Sequence, residues 1–157
     1  MSVKEKALTK PGSQLQQLLN EQLANWAVMY VKLHHYHWYI NGLHFQTLHA
    51  KFEELYNMAA LMLDELAERM LAIGLLPAST MKEYLALATI DEDKTDNEND
   101  HEMLGTVAQD FEKMAEALKK AAEIADEGKD GATADILYGQ VEALQKQIWI
   151  LKATIGK

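Results

Sequence analysis

The sequence predicts an all-α fold, a four-helix bundle with a long crossover between its second and third helices that carries a short helix of its own. Three observations predict it. Apolar residues recur at helical spacing through most of the 157 residues, and no run sustains strand alternation. Turn and stop signals at Asn41-Gly42, at Gly74 and in DEGKDG near residue 128 divide that pattern. The connections then read short, long, short, which makes two antiparallel hairpins joined by one crossover. An up-and-down bundle would have a short second connection.

The first helix is expected from PGSQLQ, with Ser13 and Gln16 as a capping box, to about Ile40. The second is expected from about His44 to Ile73. A connection of roughly twenty residues follows, holding the short helix TMKEYLALA, with Thr80 and Glu83 as a second capping box. The acidic run DEDKTDNEND leads into the third helix, where its carboxylates suit the positive end of the helix dipole. The fourth is expected from about Ala132 to Ile155. No repeat or linker divides the chain, so residues 13–157 form one domain behind a flexible tail, residues 1–12. At 48% apolar residues, this length is enough to close a hydrophobic core.

Composition narrows the chemistry. Without cysteine there is no disulfide, thiolate metal site or cysteine nucleophile, and a reducing, cytoplasmic location is expected. No segment reads as a signal peptide or a membrane span. The net charge of −9 is uneven: residues 1–60 carry +1 and residues 61–157 carry −10. Such a surface repels phosphate backbones and draws cations. Lys4, Lys6 and Lys10 offer the one weak nucleic-acid arm, and a frayed solvated terminus explains them as well.

Five of the six histidines fall within LHHYHWYINGLHFQTLH (33–49). On the second helix, Phe45, Leu48, Phe52, Leu55, Ala59, Leu63, Leu66 and Met70 share a core sector. His49, Glu53, Asp64 and Glu68 share a neighbouring sector about 100° wide, as two i,i+4 pairs. Alone, such a pair is ordinarily a solvated face. Glu53 and Asp64 lie about 16 Å apart along the axis, too far to serve one metal centre from one helix. Yet His49–Glu68 and Glu53–Asp64 share a midpoint, between residues 58 and 59. An antiparallel copy crossing there would bring His49 and Glu53 of one chain to Glu68 and Asp64 of its mate, as a two-fold axis requires. Ala60 permits close approach, and Met58, Leu61 and Met62 supply apolar surface for the contact. The hairpin sets His37 level with His49. The expected site is therefore His37, His49 and Glu53 from one chain with Asp64 and Glu68 from the other. Mixed imidazole and carboxylate donors suit Fe(II), Mn or Zn.

LHHYHWYINGLHFQTLHAKFEELY, LDELAERMLAIG, STMKEYL and KQIWILKATIG together resemble the Dps family of mini-ferritins, along essentially the whole ordered chain. The resemblance implies a ferritin-like bundle and ferroxidase roles for His37, His49, Glu53, Asp64 and Glu68. It also implies a hollow shell of twelve subunits with a mineral core, and hydrogen peroxide as oxidant. Acids at the turn between the third and fourth helices, Asp126, Asp130 and Asp135, would line iron-admitting pores on three-fold axes; turn chemistry is the alternative account of them. Trp38 and Trp149 could absorb stray oxidising equivalents, although core packing also explains a tryptophan. His34 and His35 read as supporting or surface groups, and His44 opens the second helix without a clear partner. Glu98 and His101, a Glu-x-x-His, read as solvated surface. The sequence departs from the family at Gly74-Leu75, at INGLHF and in the apolar NMAALMLD, which touch the hinge and the dimer contact but spare the ligands. Two other functions compete: a DNA-condensing protein acting through the lysine tail, and a helical shell scaffold binding a structural metal.

Overall fold

The structure, a computed structural model, describes residues 13–93 and 99–157. The tail 1–12, the side chain of Ser13 and Glu98 lie outside the described residues. Among the described residues five helices run in order: α1 (Ser13–Tyr39), α2 (Phe45–Ala72), the short α3 (Met81–Leu87), α4 (Asp100–Glu127) and α5 (Gly131–Thr154). α1 pairs with α2 and α4 with α5, the two expected hairpins.

Local signals set the ends. Thr80 and Glu83 form the expected capping box on α3. Asn99 and Glu102 form another on α4, with Asp100 and Glu102 at the positive end of the helix dipole. α2 stops at Gly74, whose φ of +78° only glycine adopts cheaply; Leu75 N–H then reaches Met70 C=O at 2.8 Å. The α4–α5 turn closes in the same way, but a lysine, Lys129, takes the left-handed position at φ +60°. Replacing it with glycine is expected to raise stability by about 0.5–1 kcal/mol, read as a higher denaturation midpoint.

The crossover climbs beside α1, which decides the topology. Asn20 is bonded to Leu76 C=O and Ala78 N–H. Higher up, Asn25 accepts from Thr89 and Ile90 N–H, and His35 faces Asp93 at 3.6 Å. α4 therefore starts level with the α1–α2 turn and runs antiparallel to α1, so Lys32 meets Asp110. α5 runs antiparallel to α2: Thr133 meets Arg69, Gln140 meets Met62 and Glu65, and Gln147 meets Glu54. Trp26, Tyr36, Phe52 and Phe111 fill the centre, and Gln140 accepts the Trp26 indole N–H at 3.1 Å.

The core sector read from α2 holds at Leu48, Phe52, Leu55, Ala59, Leu66 and Met70. Leu63 is half-buried, and Phe45 is 39% exposed. Phe45 opens the helix above the packed layer, and its ring lies over His49 instead.

Candidate metal centre

α1 ends at Tyr39, the chain turns through Gly42 at φ +104°, and α2 begins at Phe45. That tight return brings His37 against His49 as the hairpin register requires. Their rings stack at 3.6 Å with 15° between planes. Each Nδ1 lies 2.7 Å from the other residue's backbone carbonyl oxygen. A carbonyl only accepts, so each Nδ1 carries a proton, and in the neutral imidazole that leaves the Nε2 lone pair for a metal. The His37 carbonyl belongs to the last turn of α1, where no amide of the helix remains to bond it, and His49 satisfies it. One reciprocal lock thus finishes a helix end and fixes two imidazoles in the tautomer that binds metal through Nε2.

Glu53 is exposed one turn after His49. Asp64 and Glu68, also exposed, border a hollow of about 610 Å³ with Leu61, Met62 and Arg69. Among the described residues no group of three or more His, Asp or Glu could hold a metal within one chain. The sequence-predicted residues therefore come together in part: His37 with His49, and Asp64 with Glu68 farther along α2. Between these half-sites the outer face of α2 is apolar, with Leu61 71% exposed and Met58 and Met62 half-buried beside exposed Ala60.

The acids of the α4–α5 turn divide. Asp126 and Asp135 are exposed. Asp130 caps α5, accepting from Thr133 N–H and Oγ1, and pairs with Arg69 at 3.1 Å. Bonding to the Thr133 hydroxyl, followed by its amide and the Arg69 charge, holds the Asp130 carboxyl below the usual range against the opposing effect of burial. A folded pKa below the unfolded one stabilises the fold above the unfolded value, and that stabilisation is lost as pH falls through the folded value. Asp130→Asn, which keeps a capping oxygen, is therefore expected to be less stable than wild type at neutral pH. The gap should close as denaturation is repeated below the ordinary carboxylate range.

Sequence reasoning missed an aromatic stack beside the histidines. Tyr56 lies face to face with His34 at 3.7 Å and edge-on to His37 at 5.2 Å; Tyr30 meets both Tyr56 and His34. The signal was present, since the register that levels His37 with His49 also levels Tyr30 with Tyr56. Lost solvation, then the charge of Glu53 and the proximity of Tyr30, raise the Tyr56 hydroxyl pKa. Trp38 is 67% exposed and reaches this stack only at His34, 5.3 Å away, and Trp149 is equally exposed on α5.

A bundle of two hairpins joined by a climbing crossover defines a ferritin-like protein, and the ferritin-like domain family matches residues 16–157. General stress protein 20U of Bacillus subtilis is 49% identical over 145 residues, covering 92% of this chain and 99% of the relative. DNA protection during starvation protein 2 of Bacillus anthracis is 44% identical, covering 93% and 99%. The crystal structure of a Dps protein from Bacillus brevis superposes with a TM-score of 0.89 at 44% identity, covering 94% and 99%. The chain belongs to the ferritin-like family and, within it, to the Dps mini-ferritins, proteins known in general for binding and oxidising iron. No helix among the described residues is long and apolar enough to cross a membrane.

Proposed function

We propose that this chain is a cytoplasmic ferroxidase and iron store. It oxidises Fe(II) with hydrogen peroxide at sites shared across a two-fold dimer, and it keeps the ferric product inside a hollow dodecamer. The observation that carries this reading is the His37–His49 lock. Two imidazoles are fixed with Nε2 free, yet the described residues of their own chain offer too few further ligands. Asp64 and Glu68 have the complementary deficiency, and an antiparallel α2 crossing near residues 58–59 cancels both. Exposed Leu61 with Ala60 at that crossing suits burial against a second copy.

Two Fe(II) held side by side give one electron each to a single peroxide. Its O–O bond breaks with both electrons supplied, and no hydroxyl radical leaves. Glu53, Asp64 and Glu68 favour the harder Fe(III) product, while His37 and His49 retain Fe(II). Asp126 and Asp135 are exposed at the α4–α5 turn; in a dodecamer they would line three-fold rings that concentrate cations, with Asp130 shared between that route and its cap. Zn or Mn would occupy the same donors without the two-electron chemistry.

The test is anaerobic titration with Fe(II) followed by peroxide. The expected result is a ferric absorbance rise that consumes one peroxide per two Fe(II), and no optical change would end the enzyme reading. Intact mass tests the dodecamer. The relative named for DNA protection motivates a gel shift at low salt, where the acidic surface predicts little retardation.

A further inference from the structure

The two-electron reaction leaves the aromatic stack on His37 unused. We infer that Tyr56 is a one-electron donor to the iron site, held for that role by His34 as a positioning residue. This rests on the ferroxidase reading.

A site that fills one Fe(II) at a time passes through a half-filled state. Peroxide arriving then meets one electron where cleavage of its O–O bond without radical release needs two. Tyr56 is placed to give the second. Its ring edge is 5.2 Å, centroid to centroid, from the ring of a ligand, His37. Phe45, the ring on the other ligand, is far harder to oxidise. Trp38 touches the cluster through His34 and stands mostly in solvent.

His34 donates through Nδ1–H to the Tyr30 carbonyl at 2.8 Å, since a carbonyl is only an acceptor. The bond fixes the imidazole flat on one face of Tyr56, at 3.7 Å and 16°. Tyr30 stands edge-on to the same phenol. A half-buried ring shielded in this way keeps a radical from solutes long enough for a second Fe(II) to re-reduce it. The step balances: Fe(II) and the phenol each lose one electron, and the peroxide O–O bond takes both. The phenolic proton passes to one of the two oxygens released, giving Fe(III), a neutral tyrosyl radical, water and hydroxide.

The assembled protein, loaded anaerobically with one Fe(II) per site, is mixed with peroxide and freeze-quenched for electron paramagnetic resonance. A ferric signal with a tyrosyl radical, narrowed by ring-deuterated tyrosine, is expected. Tyr56→Phe keeps the ring and loses the O–H, so the radical should vanish while Co(II) absorption reports that the histidines still bind metal. Trp38→Phe should keep the radical, and His34→Leu should shorten its lifetime. Peptide mass mapping of the wild-type protein after the reaction is independent of any variant; oxidation at Tyr56 supports the assignment. An undiminished radical in Tyr56→Phe, or oxidation confined to Trp38 or Trp149, overturns it. Ferric iron without a tyrosyl signal sinks this proposal alone, whereas no ferric iron at all sinks the ferroxidase reading beneath it.

Discussion

Co-assembly of His49→Ala chains with Glu68→Ala chains is expected to restore peroxide-driven Fe(II) oxidation that neither variant supports alone. In the proposed shared site each variant by itself damages both sites of a dimer, because each site would draw three ligands from one chain and two from its mate. In a mixed dimer the two lesions fall on the same site. The other site then takes His37, His49 and Glu53 from the Glu68→Ala chain, and Asp64 and Glu68 from the His49→Ala chain, all intact. Random pairing makes half the dimers mixed, so about a quarter of wild-type sites should return, with each homodimer below a tenth of wild type. Stopped-flow ferric absorbance on refolded mixtures reads the outcome. A mixture no better than its components would mean that both ligands serve a single chain. That geometry conflicts with the distance between the two pairs along α2, so the shared site would have to be abandoned along with its dimer.

Much of this was legible before any coordinates. Helix limits came within a residue or two because period, stop signals and capping boxes are local, and Thr80–Glu83 forms as read. The crossover was visible from its length, and the packing of Asn20 and Asn25 against it shows what that length accomplishes. The pairing of His37 with His49 needed only the hairpin register. What escaped depends on neighbours that no single helix contains. Phe45 sits in the core sector of α2, yet on that helix the buried layer begins only at Leu48. Asp130 reads as a turn acid, and only the approach of α2 to α5 gives it Arg69. The reciprocal Nδ1 bonds and the Tyr56 stack require side-chain directions across the hairpin, which spacing alone does not supply.

Asp110→Ala is expected to be among the most destabilising single changes outside the metal centre, at about 3–5 kcal/mol. Lys32 and Asp110 join α1 to α4 at 2.7 Å, with side chains only 3% and 8% exposed. The variant leaves the Lys32 ammonium in a dry interior without its counter-charge, against a total of about 5–15 kcal/mol for a typical domain. Converting both partners, as Lys32→Met with Asp110→Leu, removes the stranded charge and should recover most or all of that loss. Denaturation midpoints at one fixed protein concentration separate the cases, because assembly makes the midpoint concentration-dependent. A modest cost for Asp110→Ala would mean that water reaches Lys32 and the α1–α4 seam is wet. Recovery in the double variant has a further reading. Lys32 lies less than two turns before His37, so the pair is placed to fix how far along α4 helix α1 sits. A double variant as stable as wild type but weaker in Co(II) binding would assign the pair to positioning the metal centre. Unchanged Co(II) binding would leave it a device for helix register alone.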